Sequence, residues 1–233
     1  MGSLVSYELS DGVATITMDD GKVNVLSLDM QAELHAAFDR AQSDGAVVIL
    51  VGREGVFSAG FDLATIRAGG PQTSEMVQGG FELAARVLSF PFPVAMACQG
   101  HAVAMGVFLL LTGDYRVGAA GNYRLVANEV AIGLTVPHAA IAILRNRLTP
   151  AAFNRAAITA APFSPDAAVE AGFLDQVVDA ELVTDTVKAT AVMMTTLDFN
   201  AHAATKRRVR SDVLAALREG LDLDRAALAA RLS

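Results

Sequence analysis

Residues 91–138 read PFPVAMACQGHAVAMGVFLLLTGDYRVGAAGNYRLVANEVAIGLTVPH. An apolar run from Val94 to Cys98 breaks at Gln99-Gly100-His101 and resumes at Ala104-Met105-Gly106 as a longer apolar segment. That pattern predicts a strand, a turn and a buried helix. The first N–H groups of such a helix have no intrahelical acceptor and sit at its positive end, so they can stabilise a developing oxyanion. About twenty residues on, Asn128-Glu129-Val130-Ala131-Ile132-Gly133 sets one carboxylate in apolar company. Desolvation raises the pKa of such a group toward the range useful for proton transfer. The alternative for Glu129, from local sequence alone, is an ordinary exposed charge.

Composition limits the class. The chain has 233 residues, 53% of them hydrophobic, enough to bury a substantial core. Its longest apolar run, Pro93 to Leu111, carries Gln99, Gly100 and His101 at its centre, so no uninterrupted span of about 18 apolar residues suggests a membrane helix. The excess apolarity is assigned to core and subunit interface. The start, MGSLVSYELSDG, lacks the pattern of a secretory signal, and the cytoplasm is the expected location. The single cysteine, Cys98, has no partner for an internal disulfide and no ligand cluster around it. It is expected to be an inert core thiol, with no metal site. A formal charge of −7 argues against a nucleic-acid surface.

Outward from that stretch, Val5 to Glu8 and Val13 to Met18 flank Asp11-Gly12 as a hairpin. Ser27 is a plausible N-cap for a helix from Leu28 to Ala41, where Met30, Leu34, Ala37, Phe38 and Ala41 recur at helical spacing. Ala46 to Gly52 reads as a strand covered on both faces, so strand, helix and strand make a right-handed crossover. The chain is α/β. In Phe57-Ser58-Ala59-Gly60-Phe61-Asp62-Leu63, small residues let the backbone approach a ligand and Asp62 with Leu63 can open a helix; a plain tight loop fits the heptad as well. After Gly69-Gly70-Pro71, Ser74 to Leu88 reads as a helix. Gly79-Gly80 weakens its middle by about 1 kcal/mol per glycine, as a movable lid requires. Helices are predicted over 139–148, 151–160, 182–197 and 201–217, a capped helix within 163–172 stopped by glycine, and a strand at 174–178.

FSAGFDL, VAMACQGHAVAMG, GDYRV and NEVAIGL with a following proline stand in an order and spacing that resembles the crotonase (enoyl-CoA hydratase/isomerase) superfamily. The closest resemblance is to actinobacterial probable enoyl-CoA hydratases, and it runs almost end to end. It implies a crotonase-like spiral of β-β-α units over residues 1–180, carrying an acyl-CoA site, and a C-terminal helical trimerisation region over 181–233. It also implies enoyl-CoA thioester substrates, a place in fatty-acid metabolism, and assembly as a homotrimer or hexamer. No cofactor is implied, coenzyme A being part of the substrate. Carried over by position, the two oxyanion N–H donors fall on Phe61 and Met105. Ala59, Gly60, Asp62, Leu63, Gly106, Phe108, Pro137 and His138 fall around the substrate.

The hydratases of the family commonly use two Glu residues. The later one matches Glu129; the earlier one matches Phe108, which can neither take a proton nor hold water. A single Glu suits a shift of the double bond from 3-enoyl-CoA to 2-enoyl-CoA. Hydration, isomerisation and acyl-CoA binding without turnover are therefore the readings the sequence leaves open, with thioester hydrolysis or decarboxylation behind them. His101, His138 and Glu82 are candidates to replace the missing carboxylate, each with a structural or surface role as the alternative. Asp114 reads as a turn anchor. The cluster Lys206-Arg207-Arg208-Val209-Arg210 reads as a solvated helix face, and the resemblance adds the option of cations near the coenzyme A phosphates.

Overall fold

A computed structural model describes residues 2–232 of the chain, with side chains to residue 227. Strands β1 (Val5–Ser10) and β2 (Val13–Met18) pair antiparallel. Asp11 and Gly12 both have positive φ, 54° and 75°, which is the two-residue turn whose twist matches that of the strands. Helix α1 (Leu28–Ser43) starts where expected: the Ser27 hydroxyl accepts from the Met30 N–H, and Met30, Leu34, Ala37, Phe38 and Ala41 face the core. Strand β3 (Val47–Val51) follows, buried on both faces except at its last residue.

The chain then departs from the sequence expectation. A second strand, β4 (Gly55–Ser58), follows β3 at once, ahead of helices α2 (Leu63–Ala68) and α3 (Gly70–Ser89). The same happens after β5 (Val94–Cys98): the supposed turn at Gly100-His101 is strand β6 (Gly100–Val103), leading into α4 (Met105–Leu110). Gly100 is needed for packing rather than for turning. A Cβ there would lie 1.9 Å from the Gly55 carbonyl carbon, so β4 and β6 approach only because the side chain is absent. A third pair, β7 (Tyr115–Ala119) and β8 (Leu125–Val126), completes the repeat.

Two sheets result. The larger has the order β1-β2-β3-β5-β7-β9, with β9 at Gln176–Val178, and the smaller has the order β4-β6-β8. Among the described residues, every pairing between two of these strands other than the β1–β2 hairpin is parallel. Each strand of the large sheet from β3 to β7 passes directly into one of the small sheet. The small sheet thereby collects three parallel carboxyl ends, each leading into a loop or helix. The remaining helices are α5 (His138–Arg147), α6 (Pro150–Thr159), α7 (Pro165–Ala171), α8 (Val183–Met194), α9 (Phe199–Val209) and α10 (Ser211–Leu232). Val183, Val187 and Ala191 of α8 pack with Val47, Ile49, Ala95 and Val117 of the large sheet. Val213, Leu214 and Leu217 of α10 join the main core. No helix among the described residues is long and apolar enough to cross a membrane.

The single helix expected over 201–217 is two, broken at Arg210, and the expected solvated face is half wrong. Arg207 and Arg208 are exposed, but Lys206 and Arg210 are buried. One turn apart, they converge on Asp114 at 2.7 Å each, and Arg210 also donates to the Leu88, Thr112 and Gly113 carbonyls. Asp114 accepts from the Val94 N–H at 2.8 Å as well, so it ties β5, β7 and α9 together, the anchor its turn suggested. Burial, partly offset by Asp114, pushes the Lys206 ammonium down to about 8. Asp114→Ala leaves two buried cations unpaired and is expected to cost about 3 to 5 kcal/mol in chemical denaturation.

The paired glycines of α3 serve close packing. A Cβ on Gly79 would lie 2.4 Å from the Gln31 Oε1, and one on Gly80 would lie 2.5 Å from the Phe61 ring. Gln31 in turn donates to the Leu26 and Met76 carbonyls, clasping α3 to α1.

Candidate active site

Every parallel strand of the small sheet ends in a residue of the candidate site. Phe61 lies three residues past β4, Met105 two residues past β6, and Glu129 three residues past β8. The strands are neighbours in the order β4-β6-β8, so their three exits lie side by side. This is where parallel sheets present ligand sites.

The first two exits are locked together by close backbone contact. Gly60 has φ 87°, and a Cβ on it would lie 2.8 Å from the Val103 carbonyl oxygen, 2.9 Å from the Ala104 Cβ and 3.1 Å from the Met105 nitrogen. A Cβ on Gly106 would lie 2.4 Å from the Ser58 carbonyl oxygen. These two glycines bring the Phe61 and Met105 segments together. Neither the Phe61 nor the Met105 N–H donates to an acceptor among the described residues, and Met105 is the first residue of α4. Ala104, just before it, has φ 50° and ψ −125°, a strained conformation for a residue with a Cβ and one that concentrates at functional sites. Gly60→Ala is expected to destabilise by about 2 to 3 kcal/mol, read as a lower thermal midpoint, with activity falling alongside.

Two residues outside the expected set hold this arrangement. Asn24 is fully buried, with φ 53°, and its amide donates to the Met18 and Phe57 carbonyls. The Ser58 hydroxyl donates to the Asn24 carbonyl and accepts from the Gly60 N–H. Leu26 N–H donates to the Gly60 carbonyl and Ala59 N–H to that of Val23. The β4 exit is thus fixed from behind, leaving the Phe61 N–H as the open group. A polar residue within Val23-Asn24-Val25-Leu26 was the only sign of this in the sequence.

Glu129 stands at the third exit, 7% exposed. Its Oε2 is buried without a hydrogen-bond partner, as is the Asn128 Oδ1. Burial raises the carboxyl pKa to about 7. The exposed-charge alternative is excluded. The following 3₁₀ turn, Val130–Ile132, closes on Gly133 in the left-handed region, and the Leu134 N–H returns to the Glu129 carbonyl at 2.8 Å.

The other candidates divide. Met105 and Phe108 are buried, and the Phe108 ring stacks on Phe81 at 6.2 Å with the planes 23° apart. Phe61 is half-buried and meets Phe81 edge-on at 6.3 Å. Asp62 caps α2, accepting from the Ala64 and Thr65 N–H groups and the Thr65 hydroxyl, while Leu63 is exposed. Pro137 caps α5. The His138 ring is bonded to Asp224 of α10 at 2.9 Å, and His101 accepts from the Arg124 N–H. Glu82 is exposed and accepts from Gln78. None of His101, His138 and Glu82 has the buried, unpartnered oxygen or nitrogen that Glu129 has. Cys98 is buried, its thiol pushed up to about 12 by desolvation.

A sequence profile described as Enoyl-CoA hydratase/isomerase matches residues 8–232. The chain belongs to this family. It is similar to a crystal structure of a probable enoyl-CoA hydratase from Mycobacterium tuberculosis H37Rv, at 46% identity and TM-score 0.94 over 98% of both chains. An apo structure of that same protein, described there as an enoyl-CoA isomerase, matches at 46% identity and TM-score 0.93 over 99% of both chains. Human mitochondrial delta3-delta2-enoyl-CoA isomerase is more distant, at 28% identity and TM-score 0.91, covering 99% of this chain and 92% of that one. The crotonase-type spiral is thereby established, and hydratase and isomerase names occur together among the relatives.

Proposed function

We propose that this enzyme shifts the double bond of a 3-enoyl-CoA to the 2-position, using Glu129 as its one acid/base. The observation that carries the reading is the pairing of Glu129 with Phe108. One buried carboxyl has a pKa near 7, and the position where hydratases hold a second is a core phenylalanine stacked on another ring.

The thioester carbonyl oxygen accepts hydrogen bonds from the Phe61 and Met105 N–H groups. Glu129, ionised, takes a proton from C2. The electron pair moves into the carbonyl, giving a dienolate whose oxygen rests on the two N–H groups, and Glu129 returns the proton to C4. The product is 2-enoyl-CoA, with no water consumed and no cofactor required. Donors fixed before the reaction need not reorganise as charge develops on oxygen, which is what the Asn24, Ser58 and Gly60 scaffold supports. Ala59, Gly60 and Gly106 allow close backbone approach, while Asp62, Leu63, Pro137 and His138 form the outer rim through the helices they begin.

The test is turnover of matched 3-enoyl-CoA and 2-enoyl-CoA substrates by the purified protein. Isomerisation of the first, with negligible hydration of the second, is expected. Efficient hydration overturns the reading, and tight binding without turnover replaces it with an acyl-CoA binder. The reading extends to assembly as a homotrimer or hexamer, measured by sedimentation, and to a cytoplasmic location, measured by fractionation.

A further inference from the structure

The two oxyanion donors are held in different ways. Each N–H belongs to a planar trans peptide whose carbonyl points the opposite way, so whatever grips the carbonyl aims the donor. For Met105 the grip is local: the Ala104 carbonyl accepts from the Val107 and Phe108 N–H groups at 2.9 and 3.2 Å, within the first turn of α4. For Phe61 it comes from elsewhere. The Gly60 carbonyl accepts from the Leu26 N–H at 2.8 Å, and Val25 and Gly60 form an isolated parallel bridge. The aim of this donor is therefore set by residues 22–26, outside its own loop.

That segment bends around one carboxylate. Asp20 Oδ1 accepts from the Lys22 and Asn24 N–H groups at 2.7 and 2.9 Å, and Oδ2 accepts from the Val25 N–H at 3.0 Å. The Asp20 N–H in turn donates to the Asn24 Oδ1 at 3.0 Å. Hydrogen bonds to an ionised acceptor are the stronger kind. Here they hold Asn24 at φ 53°, a conformation that persists in a residue with a Cβ only where its surroundings fix it. Beyond the bend, three hydrogen bonds reach the β4 exit. Ala59 N–H donates to the Val23 carbonyl at 2.9 Å, the Ser58 hydroxyl to that of Asn24 at 2.7 Å, and Leu26 N–H to that of Gly60.

We propose that Asp20 is a positioning residue of the oxyanion site. By fixing residues 22–25 it orients the peptide that presents the Phe61 N–H to the thioester oxygen, acting through that segment and not on the substrate. The inference rests on the oxyanion role given above to Phe61. Charge on the oxygen develops only as the proton leaves C2, so a misaimed donor costs the transition state more than the bound substrate.

Kinetics on 3-hexenoyl-CoA, together with infrared difference spectra of bound 2-hexenoyl-CoA isotopically labelled at the thioester carbonyl carbon, test this. In the wild-type protein the carbonyl band is expected to move to lower frequency on binding. Asp20→Ala is expected to lose part of that shift, and about 10-fold to 100-fold in kcat with KM little changed, the scale of a slightly misplaced group. Asp20→Asn keeps the Oδ1 acceptor and is expected to fall between the two; it carries the comparison where Asp20→Ala does not fold. The control is Asp198→Ala, which removes a carboxylate that accepts from the Ala201 N–H at the start of α9. It is expected to lower the thermal midpoint and leave the carbonyl shift and kcat unchanged. A full carbonyl shift in Asp20→Ala overturns the proposal, as does a loss confined to KM. An equal loss in Asp198→Ala also overturns it, because the effect is then one of general stability. A shift that depends on Asp20 in a protein that does not isomerise 3-hexenoyl-CoA supports the proposal and overturns only the isomerase reading. No shift in the wild-type protein overturns the oxyanion site itself, and the proposal with it.

Discussion

Glu129→Gln is expected to lower kcat for 3-enoyl-CoA isomerisation by about 100-fold to 10,000-fold, the usual contribution of a positioned acid/base group, with KM little changed. Gln keeps the shape of the side chain but cannot carry the proton. His101, His138 and Glu82 are engaged with Arg124, Asp224 and Gln78, so none stands ready to replace it. The residual rate measures what the Phe61 and Met105 N–H groups supply alone. A variant within about tenfold of wild type, smaller than acid/base catalysis contributes, would show that the proton travels through another group.

The pH dependence has two signs, one for activity and one for stability. The base must be ionised, so kcat/KM is expected to rise with pH and level off above about 7, where burial sets the Glu129 pKa. Stability runs the other way. Folding raises this carboxyl from 4.5 to about 7, so between those values the native state holds a proton that the unfolded state has lost. The contribution is fully present below pH 4.5, falls as pH rises, and is gone above about 7, a loss of on the order of 3 kcal/mol at most. Glu129→Gln removes that dependence. In thermal denaturation at pH 8 it is expected to be at least as stable as wild type, and to lose this advantage toward pH 4.5.

Where the signal was local, the sequence was legible. Asp11-Gly12 specifies a hairpin turn through two positive φ angles, and the apolar spacing of α1 marks the five residues that face the core. Partners distant in sequence were not. Gly100 read as a turn residue because a glycine's need for close packing is invisible until the facing strand is known, and so β6 and its partner β4 were missed. Lys206 and Arg210 read as solvated because Asp114, their counter-ion, lies 92 residues from Lys206. In the candidate site, the apolar neighbours of Glu129 suggested a catalytic acid but left an exposed charge as an equal alternative, and the register of several motifs together favoured the first. The positioning role of Asn24 showed only as a polar residue in an apolar run, and those of Ser58 and the strained Ala104 had no local signature, because they act through backbone groups of other segments.

Phe108→Glu, which writes the hydratases' missing carboxylate back into the sequence, is expected to unfold much of the protein rather than confer hydration. Phe108 is 1% exposed and stacked on Phe81. Truncating a buried aromatic costs about 3 to 5 kcal/mol, and leaving the new carboxyl unpaired there adds about 1 to 3 kcal/mol even in its neutral form. The total is comparable to the whole stability of an ordinary domain, about 5 to 15 kcal/mol. Phe108→Leu, which keeps an apolar side chain of similar bulk, is expected to cost far less and to retain isomerisation. Denaturation midpoints of the two variants, with assays on 2-enoyl-CoA, make the comparison. A folded Phe108→Glu protein that hydrates 2-enoyl-CoA would show that this ring faces substrate instead of Phe81, and that one side chain separates the two reactions. The expected result puts the obstacle deeper. Phe81 on α3 fills the space that a second carboxylate and its water need, so recovering hydration requires substitution on both helices.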